Sequence, residues 1–166
     1  MTGATGFVAS HLIPALADSG HDVIALGHDP SRIASGDAIE PLVIDLAAPE
    51  WPALPSVDAI VHLAQANVPF PDGAEPLCAV NTTSTARLLD HGRRTSASRF
   101  VFASSASVYG FGDRAWREND AATATDFYSA TKLASERFVG AYSSYFGTTL
   151  LRFVAPYGPG QRNRLI

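Results

Sequence analysis

The chain has 166 residues and a single cysteine, Cys78. One cysteine excludes an internal disulfide and a thiolate metal cluster, and no metal is expected; Cys78 itself reads as a small buried hydrophobe. No apolar run is long enough to cross a bilayer. The first residues also lack the basic flank, apolar stretch and cleavage site of a secretory leader, so the sequence predicts no membrane partner and a cytoplasmic home. Twelve Lys and Arg stand against sixteen Asp and Glu, for a formal charge of −4. The basic residues are scattered, which argues against a nucleic-acid surface. There is no internal repeat and no low-complexity tract. What remains is 46% hydrophobic and 17% charged, the make-up of one globular domain with a sizeable core.

Short apolar runs alternate with segments of helical period. Val23–Leu26, Leu42–Ile44, Ala59–His62, Phe100–Ala103 and Thr149–Val154 read as strands, several of them apolar at consecutive positions. Continuous apolarity is expected of strands covered on both faces. Gly6–Ser19, Pro76–Arg94 and Asp126–Phe146 read as helices, with Gly20 and Gly147 as stops after the first and last. Pro14 falls inside the first helix and should kink it. The last helix sets Phe127, Ala130, Ala134, Phe138, Ala141 and Tyr145 along one stripe. The segment Phe111–Thr125 is polar, without period, and reads as a loop over the strand ends. The order predicts an α/β Rossmann fold: a doubly wound, mostly parallel sheet with helices on both faces.

Two constellations carry chemistry. Thr2-Gly3-Ala4-Thr5-Gly6-Phe7-Val8-Ala9 spaces glycines three apart just before a helix. Bare backbone can approach a pyrophosphate there, and the helix N-terminus offers free N–H groups and partial positive charge. Alone the motif reads better as a plain turn, since glycine pairs in turns are common. Further on, Ser104-Ser105-Ala106-Ser107-Val108-Tyr109-Gly110 follows a strand, and Tyr128-Ser129-Ala130-Thr131-Lys132 sets Tyr128 and Lys132 on one helix face. The bland alternative for these is a core tyrosine, a solvated lysine and a serine in a turn. His62 has no chemical partner visible in sequence and reads as a packed strand residue.

Taken with Leu151-Arg152 and Tyr157-Gly158-Pro159-Gly160, these motifs in this order resemble the extended short-chain dehydrogenase/reductase family. Within it they resemble the NAD-dependent epimerase/dehydratase branch, of which UDP-galactose 4-epimerase is a reference member. The resemblance runs from Thr2 to about Arg162. It implies that Tyr128 exchanges the proton of a substrate hydroxyl while hydride moves to or from a nicotinamide. Lys132 would hold the nicotinamide ribose and, with the cationic ring, lower the Tyr128 pKa, and Ser105 would bond the same substrate oxygen. It also implies cofactor contacts: Gly3, Gly6 and Phe7 at the pyrophosphate, Asp45 and Leu46 at the adenine, and Leu63 and Ala64 beside the nicotinamide half. Asn81 would brace neighbouring strands, and Pro156 would shield the nicotinamide.

Three departures from the family pattern matter. Gly27 stands where NAD enzymes place an acidic residue for the adenosine 2′-hydroxyl, with His28 and Arg32 close by, which tilts the cofactor from NAD toward NADP; Asp29 is the alternative carboxylate. Ala106 and Ser107 replace the acidic pair of 4,6-dehydratases, which disfavours dehydration. Ala155 replaces an asparagine that binds the sugar-nucleotide diphosphate.

Only Met1 precedes the glycine loop. The expectation is that residues 1–166 form one NAD(P)-binding Rossmann domain truncated at both ends, lacking its first strand (Met1 a misplaced start or a fragment edge) and a C-terminal substrate domain. The expected function is an NAD(P)-dependent oxidoreductase or epimerase acting on a nucleotide sugar or related hydroxyl or carbonyl compound. Beside it stand a carbonyl reductase on a non-nucleotide substrate and a non-catalytic dinucleotide-binding module. Relatives pair through the helices matching Pro76–Arg94 and Asp126–Phe146, so a homodimer is expected, with Leu88, Leu89, Leu133 and Phe138 as candidate interface residues.

Overall fold

The computed structural model describes residues 1–161. Five strands form: β1 (Val23–Gly27), β2 (Ile39–Val43), β3 (Ala59–His62), β4 (Arg99–Ser105) and β5 (Gly147–Phe153). Every strand-to-strand ladder is parallel: β1 pairs with β2, β3 with β4, and β4 with β5. The two halves join through Thr2, which bridges Leu26 of β1 and His62 of β3, both in parallel sense. Thr2 N–H donates to the Val61 carbonyl at 2.9 Å, and Leu26 N–H donates to the Met1 carbonyl at 2.7 Å. The place of the central strand is therefore held by Met1 and Thr2, and the spatial order is β2-β1-Thr2-β3-β4-β5. β2 begins three residues earlier than its apolar run, because an edge strand tolerates Pro41.

The helices are α1 (Phe7–Asp18), the short α2 (Ala74–Cys78), α3 (Ser84–Arg94) and α4 (Phe127–Ala141). Right-handed crossovers on either side of Thr2 put α1 on one face of the sheet and α3 and α4 on the other. The core accordingly falls into two clusters. Ala9 and Ile13 of α1 pack with Val23, Ala25 and Ile33. Leu88 and Leu89 of α3 and Val139 of α4 pack with Ile60, Phe100, Phe102 and Phe146. α1 continues through Pro14, and Gly20 past its end takes φ +86°. No helix among the described residues is long and apolar enough to cross a membrane.

Several expectations need correction. The helix expected over Pro76–Arg94 is α2 and α3 joined by a π turn at Ala79–Thr83, which turns Asn81 wholly inward. The helix expected to reach Phe146 stops at Ala141. Ser143 and Ser144 hold helix poorly, and Phe146 turns back to stack on Phe100 at 6.0 Å. Gly147 therefore opens β5 instead of ending a helix. The apolar stripe of α4 faces outward: Ala130, Phe138 and Ala141 are exposed. Its buried face carries Val139 and the polar Ser129, Thr131, Lys132, Ser135 and Glu136; of these, Ser135 donates to the Asn81 carbonyl at 2.6 Å and Glu136 is paired with Arg152. Leu88 and Leu89 belong to the protein's own core and are closed to a partner. Cys78 is exposed, since Leu77 beside it takes the inward position on α2.

Candidate active site

A cleft of about 730 Å³ runs along the C-terminal ends of all five strands, crossing the point at Thr2 where the strand order reverses. In open parallel sheets this is where ligands bind. Its walls come from Gly3 to Ala9, from residues after β1 and β2 (Gly27, His28, Asp45, Leu46), after β3 (Leu63 to Asn67), and from Ser105, Tyr128 and Pro156.

At one end the glycine loop is pressed against the chain leaving β3. Gly3 has φ +72°, and a Cβ there would lie 2.7 Å from the backbone nitrogen of Ala64. No side chain fits at that point, so the loop closes tightly enough to present backbone at the cleft floor. Thr2 locks the same junction, its Oγ1 2.6 Å from His62 Nδ1 and 3.2 Å from the Ala64 N–H that donates to it. His62 is fully buried, and desolvation lowers its pKa to about 3, so it is a neutral packing residue. α1 starts at Phe7 with no side chain capping its N-terminus and no acidic residue in its first turn. Its positive end is left to whatever occupies the cleft.

Asp45 and Leu46 line the cleft wall after β2, Asp45 accepting from Ala47 N–H at 2.9 Å. At the end of β1 the lining residues are Gly27 and His28. Asp29 turns away, its carboxylate accepting from Ser31 N–H at 3.1 Å and from Ser31 Oγ at 2.7 Å. Arg32 is exposed and lies outside the cleft wall, donating to the Thr5 carbonyl at 3.3 Å. Asn81 is also behind the wall. It donates to the Ala66 carbonyl at 3.0 Å and to Thr131 Oγ1 at 3.1 Å, and accepts from Ala66 N–H at 2.8 Å. It thereby ties the segment after β3 to α4.

At the other end Ser105 and Tyr128 share the wall. The Asp126 carboxylate caps α4 by accepting from Ser129 N–H at 2.8 Å, which fixes the turn that carries Tyr128. Ser105 accepts from Ser107 N–H at 3.2 Å and from Ser107 Oγ at 2.9 Å. Burial pushes the Tyr128 phenol pKa up; its hydrogen bond with Ser105 pulls down and the charge of Asp126 pushes up. Lys132 is the only lysine. It is fully buried, 4.3 Å from the centre of the Phe102 ring, and burial lowers its pKa to about 8 against the pull of Glu136. Its Nζ has no hydrogen-bond partner among the described residues. Glu136 does not supply one because both its oxygens are taken: Arg152 Nε at 2.9 Å and Nη2 at 2.7 Å, with Ser104 also donating.

A bare glycine loop at an uncapped helix end fits a dinucleotide laid along the cleft, and the unpartnered Lys132 ammonium lies behind the cleft wall, one helical turn from Tyr128. Sequence reasoning missed Gln65, whose Oε1 accepts from the Tyr128 hydroxyl at 2.8 Å, and the Glu136–Arg152 pair.

These features define a parallel α/β protein with a nucleotide-type cleft at its switch point. The chain belongs to the NAD dependent epimerase/dehydratase family, which matches residues 1–166. It is 34% identical to the uncharacterized UDP-glucose epimerase YtcB of Bacillus subtilis, over 98% of this chain and 57% of that protein. It is 31% identical to a 3 beta-hydroxysteroid dehydrogenase/Delta 5-->4-isomerase of Mycobacterium tuberculosis, over 98% of this chain and 48% of that protein. Among solved structures it is similar to MoeE5 in complex with UDP-glucose and NAD, with TM-score 0.83, 32% identity, and coverage of 97% of this chain and 55% of that one. The chain spans about half the length of the relatives it matches.

Proposed function

We propose that this chain is the cofactor-binding part of a nicotinamide-dependent epimerase of nucleotide sugars. The observation that carries the reading is that Tyr128 and Ser105 share the cleft wall, with the unpartnered Lys132 ammonium one helical turn along α4 from Tyr128. Relatives named as UDP-sugar epimerases and a neighbour that holds UDP-glucose and NAD support the substrate class. Gly3, Gly6 and Phe7 would face the pyrophosphate, Asp45 and Leu46 the adenine, Leu63, Ala64 and Pro156 the nicotinamide half, and Lys132 the nicotinamide ribose. A bound dinucleotide supplies the hydride acceptor and donor. Tyr128 takes the proton of the substrate hydroxyl as the carbinol carbon is oxidised and returns it when the ketone is reduced from its other face. Ser105 holds the reacting oxygen throughout. Full-length protein given UDP-glucose and NAD is expected to form UDP-galactose without net NADH. Steady net NADH with a non-nucleotide alcohol in place of UDP-glucose would support the second reading, a carbonyl reductase working in reverse on a non-nucleotide substrate, favoured by Ala155 and by the hydroxysteroid dehydrogenase relative. Neither product nor NADH with either substrate type would leave the binding module.

The cofactor choice follows from charge at the end of β1. Asp29 is engaged by Ser31, so no carboxylate there faces the adenosine ribose, while His28 lines the cleft and Arg32 stands over Thr5. A 2′-phosphate at the end of β1 would meet no acidic repulsion, and Arg32 is the guanidinium that would turn toward it from Thr5. NADP is expected to bind at least as tightly as NAD by calorimetry, and a clear preference for NAD would contradict this reading.

For assembly, the outward face of α4 offers Ala130, Phe138 and Ala141, an apolar strip suited to a second copy. The full-length protein is expected to sediment as a dimer, and a monomer at micromolar concentration would remove the idea.

A further inference from the structure

The hydroxyl assigned to proton transfer has a fixed partner outside every sequence motif. Tyr128 Oη donates to Gln65 Oε1 at 2.8 Å. Gln65 lies three residues beyond β3, and its neighbour Ala66 is clamped at both N–H and carbonyl by the buried side chain of Asn81. The backbone that delivers Gln65 is therefore tied down although the side chain itself reaches into the cleft. Ser105 shares the cleft wall with Tyr128, and its Oγ accepts from Ser107 N–H at 3.2 Å and from Ser107 Oγ at 2.9 Å.

We propose that Gln65 is a positioning residue for Tyr128, its carboxamide accepting from the phenol and, rotated half a turn about its last side-chain bond, donating to the phenolate. This rests on the proton-transfer role given to Tyr128 above. A tyrosine that takes a proton and later returns it passes through both states in each turnover. A carboxylate or a backbone carbonyl in the place of Gln65 would serve only the phenol, and an ammonium only the phenolate; a primary amide carries both an acceptor and a donor on one planar group. The cost avoided is that of leaving a half-buried oxygen without its partner in one of the two states. The other groups that act on the phenol are Ser105 from the end of β4 and the Asp126 carboxylate at the start of α4; Gln65 is the one that approaches from the β3 side.

The test uses full-length protein with NAD, UDP-glucose as probe substrate, and two variants, Gln65→Met and Gln65→Glu. Each is read by the pH dependence of turnover and by phenolate ultraviolet absorption, taken as the difference from the same protein carrying Tyr128→Phe. Gln65→Met keeps the side chain's size and removes the hydrogen bond. Turnover is expected to fall about tenfold with NAD affinity unchanged. Gln65→Glu places a negative charge against the phenol, so its ionisation is expected to move up by about one pH unit or more, in the ultraviolet titration and in the rising limb of the rate profile together. If both variants titrate and turn over as the parent does, Gln65 does not position Tyr128. The ultraviolet titration answers the question even where UDP-glucose is not turned over. Full activity of Tyr128→Phe would instead overturn the proton-transfer reading itself, so the two failures are distinguishable.

Discussion

Replacing Tyr128 with phenylalanine is expected to lower turnover by roughly 10²–10⁴-fold while leaving cofactor affinity nearly unchanged, the loss typical of removing a general acid–base group. The substitution deletes one oxygen and keeps the ring, and the phenol's partners, Gln65 and Ser105, stand on the cleft wall and not in the core. Folding therefore has little reason to respond. Two neighbouring variants sharpen the assignment. Lys132→Met removes a buried ammonium that no described residue bonds, so it should weaken dinucleotide binding and turnover together without loss of stability. Ser105→Ala removes one hydrogen bond to the reacting oxygen and should cost turnover less than the tyrosine change. Steady-state kinetics and calorimetry on the full-length protein separate the three patterns. If Tyr128→Phe turned over at the parent's rate, the family membership would stand and the catalytic role would not.

Much of this architecture is legible in the sequence because apolar runs and glycine positions are local signals. β3 occupies Ala59–His62 as read, and β1, β4 and β5 shift at their ends by two residues or fewer. Gly3 could be singled out because its bareness has a physical reason, the approach of Ala64, that any sequence with this motif shares. His62 was legible as packing for the same kind of reason: a histidine inside an apolar strand is met by neighbours, here Thr2 and Thr85.

What was illegible depends on contacts between distant residues. The face of α4 could not be chosen from periodicity, since its inward polar residues are tolerable only once Asn81 and Arg152 are known to meet them. Glu136 and Arg152 lie 16 positions apart and belong to no common motif. Together they form a bidentate pair whose guanidinium also donates to Tyr109 Oη at 2.7 Å and to the Glu118 carbonyl at 2.9 Å, tying α4 and β5 to the loop after Tyr109. Gln65 was invisible because a lone glutamine after a strand has no pattern of its own. The upward push of burial on the Tyr128 phenol was illegible because burial is a property of the fold, and the Tyr-x-x-x-Lys spacing carries no information about it. Cys78 was misplaced for a similar reason: composition favours burial of a lone thiol, whereas its position one residue past Leu77 on α2 turns it outward.

The most direct measurement of the account is a calorimetric titration of NAD into the full-length protein and into its Gly6→Val variant. Gly6 has extended backbone at φ −84° and ψ 164°, which valine adopts readily, and an added Cβ would lie 3.1 Å from the Gly3 carbonyl oxygen, a contact that a small shift relieves. The variant should fold, as circular dichroism would verify. Its side chain would stand over the start of α1, in the track assigned to the pyrophosphate, where backbone must approach the phosphates closely. The parent is expected to bind one NAD per chain and the variant to show no measurable binding. Absence of binding of both NAD and NADP by the parent, or equal binding by Gly6→Val, would contradict the assignment of this cleft to a nicotinamide dinucleotide.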